Sequence, residues 1–552
     1  MTVTTTEEVA AVDARSRLTQ MRAIPRLAAK EATLFFDPVV AADRLGWIGS
    51  PQTAADGSAA LAAYGSEVAA SGITDVVLVG MGGSSLAPLV LARVFGRVAG
   101  HPALHVLDTT SPHQVLTLLG ALTPATTLVV VSSKSGTTIE PLSLASILRV
   151  WMEAALGDGA GAHFVAITDP GSPLDDSART GGFSRVFRAP DDVGGRYAAL
   201  TQFATVPAAL SGFDVARLAA SALRAKAACG VDDDDNPGAS LAAWLADAYA
   251  DGRDKLTLVV SDQYAAFGLW VEQLVAESTG KRGAGVLPVL EDAPGDPAAH
   301  GPDRTTFILR TPEDEALAGL PALLPSDEPV FEAVLGDAFG LGGEFVRWEW
   351  AVALFSVLNS IEPFDQPNVA EAKAASESIL RAGASDVTPA RIEVSAPGGD
   401  AAGLDELAPM LGTMLAAGGP GSYLAVLAYL PDDPALLAPI REACAALSES
   451  RRMPVTFQLG PRYLHSTGQY HKGGPSTGIF LVITAGSAED VQIRGKSYTL
   501  GVLNRAQATG DVVTLSAHGR PVLRVTLPDP GGAHLEAVTG ALRTLAGSCD
   551  VG

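Results

Sequence analysis

Val129-Val130-Val131-Ser132-Ser133-Lys134-Ser135-Gly136-Thr137-Thr138-Ile139-Glu140 joins an apolar run to a helix-like pattern through a cluster of hydroxyls around one glycine. The apolar run begins at Thr127 and reads as a strand, with the hydroxyl turn at its carboxyl end. Such a loop gathers backbone N–H groups, hydroxyl donors and the positive end of a helix dipole. That combination suits an anion, and phosphate is the usual one. A plain N-capping turn would also place Ser and Thr here. A cap, however, uses one oxygen for one or two orphan amides, whereas this turn carries five hydroxyls in seven residues.

Outward from this turn the chain alternates strands with helices. Thr74–Val79 runs into Gly80-Met81-Gly82-Gly83-Ser84-Ser85, and Leu86–Phe95 follows as a helix. Leu104–Leu107 and His163–Thr168 are further strands, with a short one at Ser184–Phe187. Residues 1–45 show helical spacing through Leu18, Met21, Ile24, Leu27 and Ala28, and Asp43–Gly65 reads as a helix broken at Gly49-Ser50-Pro51. After the charged junction at Asp251–Asp254, Leu256–Val260 opens a second series. It continues through Thr306–Leu309, Tyr423–Leu427, Val455–Leu459, Ile479–Thr484 and Val522–Val525, with helices at Glu344–Leu358, after Pro367 and at Pro439–Ser450. Strands alternating with helices imply βαβ units and parallel sheets. The expected fold class is therefore α/β, with two tandem doubly wound domains whose mainly parallel sheets are flanked by helices. The expected divisions are a helical segment 1–45, a first α/β domain 46–250, and a second, 251–552, ending in a helix.

A length of 552 residues calls for more than one core. The formal charge of −23 argues against nucleic-acid or anionic-membrane partners over the general surface, so a bound phosphate needs a locally positive pocket. Cys229, Cys444 and Cys549 are far apart, which fits a reducing cytoplasm and gives no zinc or redox motif. There is no secretory pattern at the N-terminus and no run of about 18 apolar residues. A cytoplasmic, acidic, multidomain protein is expected.

The loop Gly80–Ser85, with Asp108 ending the next strand, comes close to a dinucleotide fingerprint in which the acid holds a ribose hydroxyl. Ser85 stands where the third glycine belongs, and a second hydroxyl loop follows one βα unit later. A dinucleotide site has no use for that second loop, but a sugar-phosphate site could use both.

Both loops resemble the phosphosugar-binding SIS fold, and the motifs beyond them resemble the glucose-6-phosphate isomerase family. Val193-Gly194-Gly195-Arg196-Tyr197 is similar to the family's first signature, and Ala276-Glu277-Ser278-Thr279-Gly280-Lys281 to its Glu-Ser-x-Gly-Lys segment. Phe364-Asp365-Gln366-Pro367-Asn368-Val369-Ala370-Glu371-Ala372-Lys373 is similar to the second signature, with Asn368 in place of a small residue and Ala370 in place of Glu. Leu464-His465-Ser466-Thr467-Gly468-Gln469-Tyr470 is similar to the histidine segment. Lys373 precedes His465 here, an order resembling the isomerase that stands alone in some actinobacteria or is fused to transaldolase.

The resemblance implies an aldose–ketose isomerase for glucose 6-phosphate and fructose 6-phosphate, working through a cis-enediol(ate). It implies Glu277 as the base. Read from the residues alone, Glu277 ends an apolar helix where burial would raise its pKa, but it equally fits a surface pair with Lys281 one turn on. Arg196, after two glycines, is implied to stabilise the charge on the C1 and C2 oxygens; otherwise it is an ordinary loop arginine. His465 is implied to open the pyranose ring, with His471 and His300 as competitors. Lys373 is implied to assist at the ring oxygen or the C1 hydroxyl.

Gly83, Ser84, Ser133, Lys134, Ser135, Thr137 and Thr138 are expected to hold the phosphate, and Glu140, Gly195, Gln469 and His471 to touch the rest of the substrate. Glu140 also fits as a first-turn helix acid. Neither a metal nor a cofactor is expected. The family implies a homodimer. Two alternatives stay open: an isomerase that also accepts mannose 6-phosphate, and a non-catalytic sugar-phosphate-binding regulator.

Overall fold

The structure is a computed structural model that describes residues 12–291, 296–383, 389–487 and 489–547. The first sheet contains β1 (Asp75–Val79), β2 (Ala103–Leu107), β3 (Thr127–Ser132), β4 (Phe164–Thr168) and β5 (Arg185–Arg188), all parallel, in the order β2-β1-β3-β4-β5. The interiors of β1, β3 and β4 (Val76–Val79, Leu128–Val131 and Phe164–Ile167) are apolar because helices cover both faces, which leaves no side on which a polar residue would be solvated.

Beyond residue 251 the expected parallel α/β pattern holds, but the strands divide between two sheets. β6 (Lys255–Val260), β7 (Leu287–Glu291), β8 (Arg304–Arg310) and β9 (Val330–Val334) form a four-stranded parallel sheet in the order β7-β6-β8-β9. β10 (Glu393–Ser395), β11 (Tyr423–Tyr429), β12 (Val455–Leu459), β13 (Gly478–Ala485) and β14 (Val522–Leu527) form the third sheet, in the order β10-β14-β13-β11-β12. Only β10 runs antiparallel there. Three strands had no counterpart in the sequence reading: β7, β9 and β10. Each lies at a sheet edge. Pro288 interrupts the apolar pattern of β7, and an edge is where a strand tolerates proline.

The break foreseen at Gly49-Ser50-Pro51 is the start of a helix, Ser50–Ala70, with its proline in the first turn where no amide is needed. The first two sheets share a core with the N-terminal helices. The third sheet has its own core on one face. Its other face packs Tyr423, Leu427 and Val482 against Ala276, Leu287 and Val289, so the helix Ala265–Thr279 is pressed between sheets two and three. Among the described residues no helix is long and apolar enough to cross a membrane.

Candidate active site

The carboxyl ends of β1 and β3 place the two hydroxyl loops side by side, and Ser132 Oγ donates to the carbonyl of Ser84 at 2.8 Å. The turn after β3 opens the helix Ile139–Leu156, whose N-cap residue Thr138 makes no side-chain capping bond. A plain N-cap would have spent that hydroxyl on the helix amides. Here Thr138 Oγ1 instead accepts from Ser133 Oγ at 3.3 Å, so no side-chain oxygen spans the first-turn amides. Gly136, at φ +65°, turns the chain back where a Cβ would lie 2.7 Å from the Leu174 amide. Ser135 and Thr137 share a hydrogen bond at 2.9 Å.

Lys134 does not face this turn. It pairs with Asp169 at 2.7 Å and also reaches the carbonyls of Pro190 and Asp191, which takes its side chain, though not its backbone amide, out of the expected phosphate ligands. Asp108 is likewise committed. Buried at the end of β2, it accepts from Nε and Nη2 of Arg462 at 2.7 and 2.8 Å, and a ribose would have to displace that ion pair.

Gly83 lies against Gly195 so closely that a Cβ on Gly83 would stand 1.9 Å from the Gly195 carbonyl oxygen. This backbone contact seats Arg196. The guanidinium is buried and spreads over Glu277, Pro363, Asp365 and Gln366: Nη1 reaches the carbonyls of Pro363 (2.7 Å) and Glu277 (3.0 Å), and Nη2 reaches Gln366 Oε1 (2.6 Å). Nε meets the Glu277 carboxylate at 3.2 Å. Arg196 is therefore a fixed charge beside Glu277 whose donors are already engaged by protein oxygens. Glu277 is buried near the end of the helix Ala265–Thr279, and the surface pairing with Lys281 does not form. Lys281 turns to Asp365 (2.8 Å) and the Glu362 carbonyl, and burial, with Arg196 adding repulsion, lowers its ammonium pKa to about 7.

Gln273, one turn before Glu277, donates to the Glu277 carboxylate (3.2 Å) and to the His465 carbonyl (2.8 Å). Gly82, at φ +53°, presses against both Gln273 and His465. His465 Nε2 lies 3.0 Å from Glu140 Oε1. Burial pushes the Glu140 carboxyl up, but the His465 charge and hydrogen bond, with Lys373 beyond, outweigh it and hold the pKa below the usual value. With Glu140 ionised, the His465 proton belongs on Nε2, and Nδ1 is left for another partner. Glu140 Oε2 is buried with no hydrogen-bond partner among the described residues.

A cavity of about 210 Å³ opens here, lined by Thr137, Thr138, Glu140, Lys373, His465 and Gln507 among others. Lys373 reaches it from the exposed side of the helix Pro367–Arg381. Glu277 and Arg196 are not in its wall; they lie behind the Gly82–Gln273–His465 contact.

The structure does not bring His471, Gln469 or His300 to this cavity. His471, expected to touch substrate, is corrected to a core residue: Tyr423 OH and Gln458 Oε1 each lie 2.9 Å from one of its ring nitrogens, and burial with Lys472 and Arg520 nearby keeps it neutral. Gln469, also expected at the substrate, is buried with its amide committed to Asn368 and the Gly280 carbonyl. His300 is paired with Glu328 beside the second sheet. Sequence reasoning passed over Gln273, Gln366 and Gln507. Gln366 lies inside the second signature, so the motif carried a signal for it; Gln273 carried only its helical spacing before Glu277.

The family model described as phosphoglucose isomerase matches residues 62–285. The glucose-6-phosphate isomerase of a Synechococcus strain is 38% identical over 214 residues, 38% of this chain and 40% of the relative, so the chain spans well under two thirds of its length. That of Rubrobacter xylanophilus is 31% identical over 303 residues, covering 53% of this chain and 68% of the relative. That of Thermus thermophilus is 30% identical over 316 residues, covering 56% and 71%. Among solved structures, a hypothetical protein from Thermus thermophilus superposes with a TM-score of 0.57 at 26% identity, over 66% of this chain and 96% of that one. A glucose-6-phosphate isomerase from Chlamydia trachomatis shares the fold, with a TM-score of 0.51 at 19% identity over 67% and 84%. With two relatives at or above 30% identity matched over more than two thirds of their length, and the glycine loops, Arg196 and Glu277 meeting at one place, the chain belongs to the glucose-6-phosphate isomerase family.

Proposed function

We propose that this protein interconverts glucose 6-phosphate and fructose 6-phosphate by proton transfer through a cis-enediolate, without a cofactor. One continuous set of contacts carries the reading: Glu140 to His465, His465 to Gln273, Gln273 to Glu277, and Glu277 to Arg196. It puts a histidine–carboxylate pair and a buried carboxylate–arginine pair on either side of one glutamine, next to an uncapped helix N-terminus.

In this scheme the amides and hydroxyls of Ser133–Thr138, with Ser84, hold the 6-phosphate. His465, with Lys373 across the cavity, opens the ring. Glu277 then takes the proton from C2 of the open aldose, the C–H electron pair forms the C1–C2 double bond, and the same carboxylate returns the proton to C1 while a hydroxyl proton passes between the two oxygens. Arg196 pairs with Glu277 and orients it, and its positive charge stabilises the enediolate from a fixed position without a donor of its own to spare. The proposal extends to a cytoplasmic homodimer. His465 reaches the Glu140 of its own chain, so the histidine of each site need not be lent by a partner.

Conversion of purified glucose 6-phosphate into fructose 6-phosphate, followed by a coupled assay, tests the reading. Turnover abolished in Glu277→Gln with KM little changed would support it; full turnover in that variant would remove Glu277 from the mechanism.

A further inference from the structure

The Glu140 carboxylate has a second anchor. Gln507, on the helix Leu500–Ala517, donates from Nε2 at 2.6 Å to the same Oε1 that meets His465. The direction of its amide is determined by what lies behind it. Thr110 Oγ1 stands 2.9 Å from Gln507 Oε1, and Asn504 Nδ2 stands 3.0 Å from Thr110 Oγ1. Asn504 gives a proton to the Thr110 hydroxyl, Thr110 gives its one proton to Gln507 Oε1, and Gln507 therefore presents its NH₂ group to Glu140. Reversing both amides would set two acceptor oxygens 2.6 Å apart, one of them on an ionised carboxylate. Glu140, Gln507, Thr110 and Asn504 are all buried, which strengthens these bonds.

The network crosses the molecule. Thr110 follows β2 of the first sheet, Glu140 follows β3, Gln507 and Asn504 come from the helix between β13 and β14, and His465 follows β12. Arg462, three residues before His465, is locked to Asp108 two residues before Thr110. The end of β2 thus holds the histidine segment twice, once through the Asp108–Arg462 ion pair and once through Thr110, Gln507 and Glu140. We propose that Gln507, set by Thr110, is a positioning residue for ring opening: two donors on one oxygen hold Glu140 as a carboxylate in a single orientation, which keeps the His465 proton on Nε2 and turns Nδ1 toward the sugar. The inference rests on the isomerase reading above and deepens it.

In the step it serves, Nδ1 of His465 takes a proton from solvent while Nε2–H stays on Glu140, and gives that proton to the ring oxygen as the C1–O5 bond breaks. The C1 hydroxyl proton passes to water, and its O–H electron pair forms the C1 carbonyl. His465 regains a proton from solvent. Glu277 takes no part until the chain is open.

That separation supplies the test. Exchange between the α and β anomers of glucose 6-phosphate, read by exchange NMR on the full-length protein, reports ring opening alone, while conversion to fructose 6-phosphate reports both steps. Gln507→Leu is expected to lose about tenfold or more in both rates with KM within about threefold of wild type. Thr110→Val, which removes only the hydroxyl that sets the amide, is expected to lose less in the same direction; it keeps the test open if the leucine variant does not fold. Glu277→Gln is expected to lose conversion and keep anomer exchange. Wild-type anomer exchange in Gln507→Leu, or in Thr110→Val where the leucine variant fails to fold, would overturn the inference; so would a defect confined to KM. A wild-type protein that accelerates neither process would overturn the isomerase reading and this inference with it.

Discussion

Glu140 and Glu277 are both buried carboxylates on helices, yet they are held in opposite ways. Glu140 stands in the first turn of its helix, where the dipole favours its charge, and its partners are a histidine from beyond β12 and a glutamine from the helix before β14. Glu277 stands near the end of its helix, where the dipole opposes a negative charge, and Arg196 compensates from 3.2 Å. One oxygen of Glu140 has no hydrogen-bond partner among the described residues, while both helices' carboxylates share Gln273 and His465 as the bridge. The difference fits the division of labour proposed above. A carboxylate that keeps a histidine in one tautomer should be fixed and ionised, as Glu140 is. A carboxylate that carries a proton between neighbouring carbons needs a charge partner that does not itself take the proton, and an arginine meets that requirement.

The largest effect expected from separating these two halves is in Glu277→Gln. Its kcat should fall by about 10²–10⁴ with KM nearly unchanged, measured by steady-state kinetics. A fall in kcat/KM carried wholly by KM would place Glu277 in binding and erase the distinction. His465→Asn should lose about 10²-fold on the cyclic sugar, since one general acid–base group is removed. An equal loss of anomer exchange locates the defect in ring opening; retained anomer exchange would move the histidine to the other half of the site. Ser133→Ala with Thr138→Ala should raise KM about 10-fold or more, the loss of hydrogen bonds to a charged group, and leave kcat within a few-fold. A pure kcat defect would argue against phosphate anchoring.

The smallest effect concerns a third carboxylate, Glu272, on the same helix as Glu277. It is buried beneath the histidine segment, where Gln458 and Ser466 donate to it, and burial raises its pKa from 4.5 to about 7. The native state therefore keeps a proton that the unfolded chain has already released between these values. Stability contributed by Glu272 is lost as pH rises from about 4.5 through about 7. Thermal unfolding of Glu272→Gln should show a flatter dependence on pH across that window than wild type, with activity retained. Parallel curves would mean that Glu272 is ionised in the native protein.

The parts of the site legible in the sequence are those whose chemistry is local. The turn from Ser132 to Glu140 announced itself because hydroxyls, a glycine and a helix start are adjacent in the chain. Gly195 and Arg196 were legible for the same reason, since a glycine pair marks a close backbone approach, which here is Gly83 against Gly195. The interior strands were readable because burial on both faces leaves long apolar runs, whereas β7, β9 and β10 are edges, short or interrupted, where that signal fades. The division of the second half into two sheets was not readable, because each βα unit looks alike until its partners are known. Side-chain direction was illegible too. Lys134 sits inside the hydroxyl turn yet points to Asp169, and His471 lies close after His465 in the chain yet faces Tyr423. Gln507 and Thr110 are separated by most of the chain and meet only where the helix Leu500–Ala517 packs against the first sheet.

Deuterium incorporation asks whether a single buried carboxylate, Glu277, moves one proton between neighbouring carbons of a hexose 6-phosphate. Incubation in D₂O, followed by NMR, should label C2 of glucose 6-phosphate and C1 of fructose 6-phosphate with the wild-type protein, and label neither above background with Glu277→Gln. Absence of label with the wild-type protein, or undiminished label in the variant, would remove Glu277 from that proton transfer.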